Sequence, residues 1–125
     1  MQFLTIPVDP KQICALVDWT GDTSEKIHNY IGDYFETSTL WMPYRVGPLG
    51  AVLYVDDRGL HKELPFNPRA ACLRGLFYTG PATIVGPAVV SGFDEHGDTQ
   101  NVPSHIVEII RTIDKLYKEL MRAER

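Results

Sequence analysis

Clustered carboxylates and histidines are the first residues in this chain that could do chemistry. Four side chains of this kind stand close together, and such groups can bind a divalent cation when their spacing matches a coordination geometry. They are Asp94, Glu95, His96 and Asp98. The stretch lacks the ligand pattern and terminal Glu of a calcium loop, and no two histidines stand at metal-ligand spacing on one helix face. The sequence therefore predicts a solvated loop here, with no metal and no cofactor.

Paired carboxylates and the two cysteines are the other candidates for catalysis. Asp56 and Asp57 could serve acid–base chemistry, but adjacent residues in a turn point apart, so they are typical of a turn after a strand. Cys14 and Cys72 stand in apolar stretches that predict buried thiols, and nothing pairs either with a histidine. No phosphate loop, dinucleotide fingerprint or nucleophile elbow is present. We therefore predict a non-enzymatic protein without catalytic residues.

Arginine and aromatic side chains gather in the middle of the chain. Residues 45–74 hold five basic and three acidic side chains, whereas the whole chain has a net charge of −4. Arginine beside aromatic rings is typical of protein interfaces and also suits single-stranded nucleic acid. Core packing with scattered surface charge is the third explanation. The residues that we predict to bind a partner are Tyr44, Arg45, Arg58, Arg69 and Arg74.

Length and composition favour one globular domain. The chain has 125 residues, 44% hydrophobic and 22% charged, which is enough to bury a core within a single domain over 1–125. The N-terminus does not resemble a signal peptide, and no stretch approaches the ~20 apolar residues that cross a membrane. We expect a cytoplasmic protein that does not contact a membrane.

Capping residues and apolar periodicity predict two substantial helices. Asp22 and Glu25 form a capping box at the start of a medium helix over about 24–34. A long C-terminal helix over about 104–122 carries an apolar stripe at three- and four-residue spacing. The chain is therefore either a monomer or a homodimer that pairs through this helix. The ion pairs expected on its outer face are Asp114–Lys118 and Lys115–Glu119.

Strand-like runs and turn residues alternate over the rest of the chain. Asn67 as N-cap and Pro68 at the first helical position predict a short helix that stops at Gly75, and the polar residues 93–103 predict a loop. Predicted strands lie at 3–8, 36–42, 51–55, 60–64 (a hairpin arm), 76–79 and 83–91, with 11–19 undecided between strand and helix. The fold class is α+β, a mostly antiparallel sheet packed by the medium and the long helix.

Two motifs in the second half of the chain carry a family resemblance. They are LPFNPRA at 64–70 and IVGP at 84–87, and a strand and a Gly59-Leu60 turn precede them. On these motifs and on its whole layout the chain resembles the DUF3846 family, an uncharacterised domain of phages, plasmids and bacteria. Residues 31–33 depart from the glycine pair that the family tends to have there.

The resemblance supplies no catalytic residues, and it implies a setting. Small accessory proteins of mobile elements commonly bind a host protein or counter a host defence. We therefore expect a phage or mobile-element accessory protein that binds a host protein in the host cytoplasm. Two alternatives stay open. One is a nucleic-acid-binding regulator that uses residues 45–74, and the other is a protein that sequesters a small ligand.

Overall fold

An antiparallel sheet forms the centre of the fold. The computed structural model describes residues 1–41, 50–78 and 83–123. Within them the strands are β1 (Gln2–Ile6), β2 (Ala15–Asp18), β3 (Phe35–Trp41), β4 (Gly50–Asp56), β5 (Ala88–Phe93) and β6 (Thr99–Gln100). Their order is β2-β1-β5-β4-β3, with β6 beside β5, so β2 and β3 form the two edges. The predicted α+β class with an antiparallel sheet is confirmed.

Helices cover both faces of this sheet. Those in the described residues are α1 (Thr23–Ile31), α2 (Pro68–Gly75) and α3 (Ser104–Ala123). Successive strand residues point to opposite faces, so Phe3 and Leu4 enter different cores. Leu4 joins the larger core with Ile106 of α3, and Phe3 joins a smaller cluster with Ile27 of α1. None of the helices in this part of the chain is both long enough and apolar enough to cross a bilayer.

Side-chain caps start α1 and α2 as the sequence predicts. Asp22 and Asn67 each accept a hydrogen bond from the backbone N–H three residues on, at 3.2 and 3.1 Å. Both interactions satisfy N–H groups that have no partner within the first helical turn. α1 ends at Ile31, earlier than predicted, because Gly32 follows with a φ of +144° that L residues rarely adopt.

Three of the predicted strands are confirmed with their ends shifted by one or two residues. The strands at 3–8, 36–42 and 51–55 correspond to β1, β3 and β4, and the undecided segment 11–19 contains β2. Met42, the last residue predicted for one of these strands, lies outside the described residues. The hairpin arm predicted at 60–64 is wrong. These residues form turns, in which the N–H of Leu64 donates to the carbonyl of Gly59 at 3.0 Å.

Two further β predictions need correction. Residues 76–78 leave α2 as a turn and bend rather than as a strand, and Thr79 lies outside the described residues. The strand predicted over 83–91 begins only at Ala88, because the preceding residues bond to the segment before α2 instead of to the sheet. The short strand β6 lies inside the loop predicted at 93–103. Local β propensity misplaced these ends because tertiary hydrogen bonds decide them.

α3 keeps its predicted apolar stripe but not its predicted ion pairs. Asp114 pairs with the buried Arg69 at 2.7 Å instead of with Lys118, and neither predicted i,i+4 pair is present among the described residues. The far half of the helix leaves Leu116 and Leu120 exposed, by 53% and 59%. The choice between a monomer and a homodimer through this helix stays a prediction.

Candidate functional site

The residues predicted to bind a partner do not form one surface in the described structure. Tyr44 and Arg45 lie outside the described residues. Arg58 is exposed and Arg74 is half-buried. Each of these two guanidinium groups stacks on a tyrosine ring, with its central carbon 4.2 and 4.7 Å from the ring centre respectively. Such stacking is a favourable cation–π contact at exposed sites.

The tyrosine partners of the two stacked arginines meet β3 at different positions. Arg58 stacks on Tyr34, which directly precedes the strand. Arg74 stacks on Tyr78, whose hydroxyl donates to the carbonyl of Thr39 near the other end. Five residues of extended strand span about 17 Å. The two described arginines of the predicted site that are not buried therefore stack on separate tyrosines along β3.

The prediction that Arg69 binds a partner is wrong, because Arg69 is only 1% exposed and its amino groups are used inside the fold. Nη1 donates to the carbonyl of Gln12 at 2.6 Å and to Oδ1 of Asp114 at 2.7 Å. Nη2 donates to the carbonyls of Pro7 at 2.7 Å and Asp9 at 3.0 Å. A buried guanidinium is tolerated when a carboxylate compensates its charge and acceptors take its protons. Arg69 thus holds the β1–β2 loop against α3.

The two family motifs bind each other and the end of β1. Asn67 donates through Nδ2 to the carbonyls of Ile6 and Gly86, both at 3.0 Å. Its backbone N–H donates to the carbonyl of Ile84 at 2.8 Å. The N–H of Gly86 returns a bond to the carbonyl of Pro65 at 2.8 Å. Asn67 was predicted only as a helix cap, and its amide also joins three separate segments of the chain.

A groove lies between β2 and α3 along one edge of the sheet, and we call it the β2–α3 groove. Its volume is about 570 Å³. Its floor is apolar and combines residues that are far apart in the sequence. The floor residues are Leu4, Leu16, Val107 and Ile110. Leu16 is 40% exposed, and the neighbouring Ile13 is 63% exposed, so the groove presents apolar surface to solvent.

Three basic side chains of α3 form one rim of this groove. Arg111, Lys115 and Lys118 line it and are all exposed. Their spacing of four and three residues places them on the same side of the helix. In the part of the chain that the structure describes, no carboxylate forms an ion pair with any of them. The fourth charged group of the groove, Asp114, is already paired with Arg69.

This groove cannot be predicted from the sequence because its parts come from opposite ends of the chain. The basic spacing at Arg111, Lys115 and Lys118 is visible in the sequence. By itself this spacing is typical of the ordinary solvated face of a helix that carries ion pairs. Only the packing of α3 beside β2 brings these three basic side chains next to exposed apolar side chains.

Cys14 connects the groove to the buried Arg69. Its N–H donates to Oδ2 of Asp114 at 3.2 Å, and its thiol donates to Oδ1 at 3.5 Å. Burial, reinforced by the Asp114 carboxylate and opposed by Arg69, raises the pKa of the Cys14 thiol to about 12. The thiol is therefore protonated at neutral pH, whereas the nucleophilic form of cysteine is the thiolate.

The second thiol lies elsewhere and does not follow the prediction. Cys72 is exposed on α2, while the next residue, Leu73, is buried in the core. The prediction of a buried thiol is thus wrong for Cys72, because an apolar sequence neighbourhood does not decide which side of a short helix faces inward.

The carboxylates considered for metal binding or catalysis hold turns in this structure. Oδ1 of Asp94 accepts the backbone N–H groups of His96 at 2.9 Å and Asp98 at 3.0 Å. The buried Asp56 pairs with Lys62 at 2.8 Å. Across residues 1–41, 50–78 and 83–123 no group of three or more His, Cys, Asp or Glu side chains is arranged to hold a metal ion.

The fold and the site define a small α+β domain with an antiparallel sheet, two motifs that bind each other, and a basic-rimmed groove at one sheet edge. The chain belongs to the DUF3846 family. The family model, described as a domain of unknown function, matches residues 1–118, which confirms the resemblance seen in the motifs. No curated protein and no solved structure matches the chain.

Proposed function

We propose that this domain is a non-catalytic binding protein that attaches to another protein through the β2–α3 groove. The observation that carries this proposal is the combination of an apolar floor with three basic side chains that have no acidic partner in the described chain. Apolar surface at the centre of a site, with charged groups at its rim, is the usual anatomy of a protein interface. The protonated state of Cys14 supports a binding role over thiol chemistry in the same groove.

The setting that we propose is that of a phage or mobile-element accessory protein that acts in the host cytoplasm. DUF3846 domains occur in phages, plasmids and bacteria, and small accessory proteins of such elements commonly bind a host protein or counter a host defence. Support for a host partner comes from this context alone, since a family does not establish a function. Support for a protein partner comes from the groove.

The two alternative functions have weaker support. Nucleic-acid binding by residues 45–74 loses one of its predicted contacts because Arg69 is buried, and the guanidinium groups of Arg58 and Arg74 each stack on a separate tyrosine. A site that sequesters a small ligand buries most of the ligand surface. The β2–α3 groove is open along the sheet edge and suits a larger partner better.

Affinity capture from a bacterial lysate tests the proposal. The immobilised wild-type chain is compared with Lys115→Glu/Lys118→Glu, and captured proteins are identified by mass spectrometry with and without nuclease. The matched control is Arg58→Glu/Arg74→Glu, which reverses two charges at the other edge of the sheet. We expect one nuclease-resistant protein that binds the wild type and the control but not the groove variant.

Other outcomes contradict parts of the proposal. Loss of the captured material on nuclease treatment indicates nucleic acid instead of a protein partner. Equal capture by the wild type and by Lys115→Glu/Lys118→Glu contradicts the groove as the site. Loss only in Arg58→Glu/Arg74→Glu moves the site to the β3 edge. Melting temperatures of all three proteins show whether a variant fails because it is unfolded.

A further inference from the structure

We infer that the partner supplies an extended, acidic peptide segment, which adds to β2 as a new strand and lies along the β2–α3 groove. The inference rests on the proposed function and specifies its binding mode and the chemistry of the partner. Three observations carry it: the direction of the backbone groups on β2, the exposed apolar side chains of Ile13 and Leu16, and the charge of the rim.

The hydrogen-bond register of β2 leaves its outer backbone groups available. The N–H of Trp19 donates to the carbonyl of Met1 at 3.0 Å, which identifies the hydrogen-bonded pairs of the β1–β2 ladder. In an antiparallel ladder these pairs alternate with residues whose N–H and C=O groups point away from the neighbouring strand. Leu16 and Asp18 therefore direct their backbone groups outward from the sheet.

Cys14 gives independent support for this register. It lies two residues before Leu16, so the same alternation points its N–H outward, and that N–H donates to Asp114 at 3.2 Å. Asp114 thus occupies the outward N–H just before β2, so an added strand cannot use it. At Leu16 and Asp18 no backbone hydrogen bond to another described residue is present. An edge strand with free N–H and C=O groups is the template on which an extended peptide adds a strand.

The side chains next to this edge offer an apolar contact to an added strand. Leu16 pairs with Leu4 on the sheet face that carries α3. A partner residue placed beside Leu16, on that same face, would therefore lie over the groove floor and below the basic side of α3. It would cover Leu16 and Ile13, which are 40% and 63% exposed in the free protein. Removing such apolar surface from water favours binding.

The rim charge selects an acidic partner. Arg111, Lys115 and Lys118 face the groove without acidic partners in the described chain, while Arg69 already compensates Asp114. Carboxylates on the added strand would meet three cations, and a basic peptide would be repelled. No aromatic side chain is among the described residues that line the groove, so it lacks the stacking surface that single-stranded nucleic acid uses. An extended acidic peptide is thus the occupant that matches both the free backbone groups of β2 and the positive charge of the rim.

Binding to defined peptides tests this inference. The probe is an array of heptapeptides that mix Glu and Asp with Val, Ile and Leu in varied order, beside a matched array with Lys at each acidic position. The strongest acidic binder is then measured by fluorescence anisotropy. We expect binding to acidic peptides only, an at least tenfold weaker affinity in Lys115→Glu/Lys118→Glu, and no change in Arg58→Glu/Arg74→Glu.

N-methylation of the peptide backbone separates strand addition from charge attraction. Two versions of the best acidic peptide are compared, one methylated on the odd amides and the other on the even amides. In an added strand only one of these sets faces β2. We therefore expect one version to lose at least tenfold in affinity and the other to bind like the parent. Equal binding of both versions and the parent would overturn strand addition.

Substitution of Leu16 tests the same contact from the side of the protein. Leu16→Pro removes an outward N–H that the fold does not use, and an edge strand tolerates Pro at such a position. Leu16→Ala removes the side chain but keeps the N–H. We expect the Pro variant to bind acidic peptides more weakly than the Ala variant, with melting temperatures as the check on folding. Equal affinities would contradict a backbone bond at Leu16.

The failure of this inference is distinguishable from the failure of the proposed function. A nuclease-resistant protein captured through the groove, together with no binding to any acidic peptide, overturns strand addition and leaves protein binding in place. No captured protein and no peptide binding overturn both. Self-association by light scattering that Leu16→Pro abolishes, without peptide binding, assigns the edge to a second copy of the chain instead.

Discussion

Arg69 and the basic rim of the β2–α3 groove carry the same charge but do opposite things. Arg69 is buried and bonded to a carboxylate and three carbonyls, whereas Arg111, Lys115 and Lys118 are exposed and have no acidic partner in the described chain. The motif that contains Arg69 marks the family, and it serves the fold. The groove residues stand in no conspicuous motif and remain available to bind. The surroundings of a basic side chain, and not its type, thus decide whether it is bonded inside the fold or left exposed.

Asp114 links the two regions. One of its oxygens accepts from Arg69, and its carboxylate also binds the N–H and thiol of Cys14 at the groove. A substitution of Arg69 should therefore disturb Asp114 and Cys14 at the groove. Substitutions on the basic rim should leave the hydrogen bonds of Arg69 unchanged.

Arg69→Ala should lower the free energy of unfolding by about 3–5 kcal/mol. The substitution leaves the Asp114 carboxylate without its cation and three carbonyls without donors, and removing one partner of a buried pair has a cost of this size. Urea denaturation measures the change. Arg74→Ala is the matched control, since Arg74 is half-buried and makes no ion pair in the described chain. Similar stabilities of the two variants would show that Arg69 does not hold the fold.

Asn67→Ala should lower the free energy of unfolding by about 2 kcal/mol, through a lost cap and unpaired carbonyls. Asn67→Asp separates these two roles. It keeps an oxygen that can accept the N–H of Ala70, but it loses the Nδ2 that donates to Ile6 and Gly86. We expect the Asp variant to be at least as unstable as the Ala variant, because the retained cap is offset by a buried carboxylate oxygen that faces two carbonyl oxygens. If Asn67→Asp had the stability of the wild type, the Nδ2 hydrogen bonds would contribute nothing and Asn67 would act only as a helix cap.

Asp56 should make the free energy of unfolding depend on pH in the acidic range. Burial by itself raises the pKa of this carboxyl, but its bonds with Lys62 and with the N–H of Arg58 outweigh burial and hold the pKa below its usual 3.8. Stability from this group is present above that value and is lost as pH falls through the lower pKa of the folded state. Asp56→Asn should be less stable at pH 7 and lose less stability between pH 6 and pH 3, as measured by urea denaturation. Parallel pH profiles of the two proteins would contradict this.

Lys115→Glu/Lys118→Glu should change the free energy of unfolding by less than about 1 kcal/mol, because both side chains are exposed and unpaired within the described chain. Binding of acidic peptides should nevertheless be at least tenfold weaker. Denaturation and fluorescence anisotropy on the same preparation measure both quantities. A large loss of stability would contradict this prediction, because it would show that the rim residues stabilise the fold as Arg69 does.

Local signals were sufficient for the three helices and for three of the strands of this fold. The caps at Asp22 and Asn67 start α1 and α2, and the apolar stripe predicts α3, because these signals act between residues only a few positions apart. Alternation and turn residues likewise predicted β1, β3 and β4. The turns at 60–64 and the late start of β5 escaped prediction because bonds within and between loops overrode β propensity.

The amino-acid sequence alone thus determined the α+β class, the long helix and the two motifs, since each depends on residue types within a short window. The tertiary structure decided which charges are buried and which remain free. Arg69 and Asp114 are 45 positions apart, and Cys14 and Asp114 are 100 positions apart. The spacing of residues within a short window carries no information about contacts between residues so far apart in the sequence. The burial of Arg69 and the β2–α3 groove therefore exist only once the sheet and α3 have packed together.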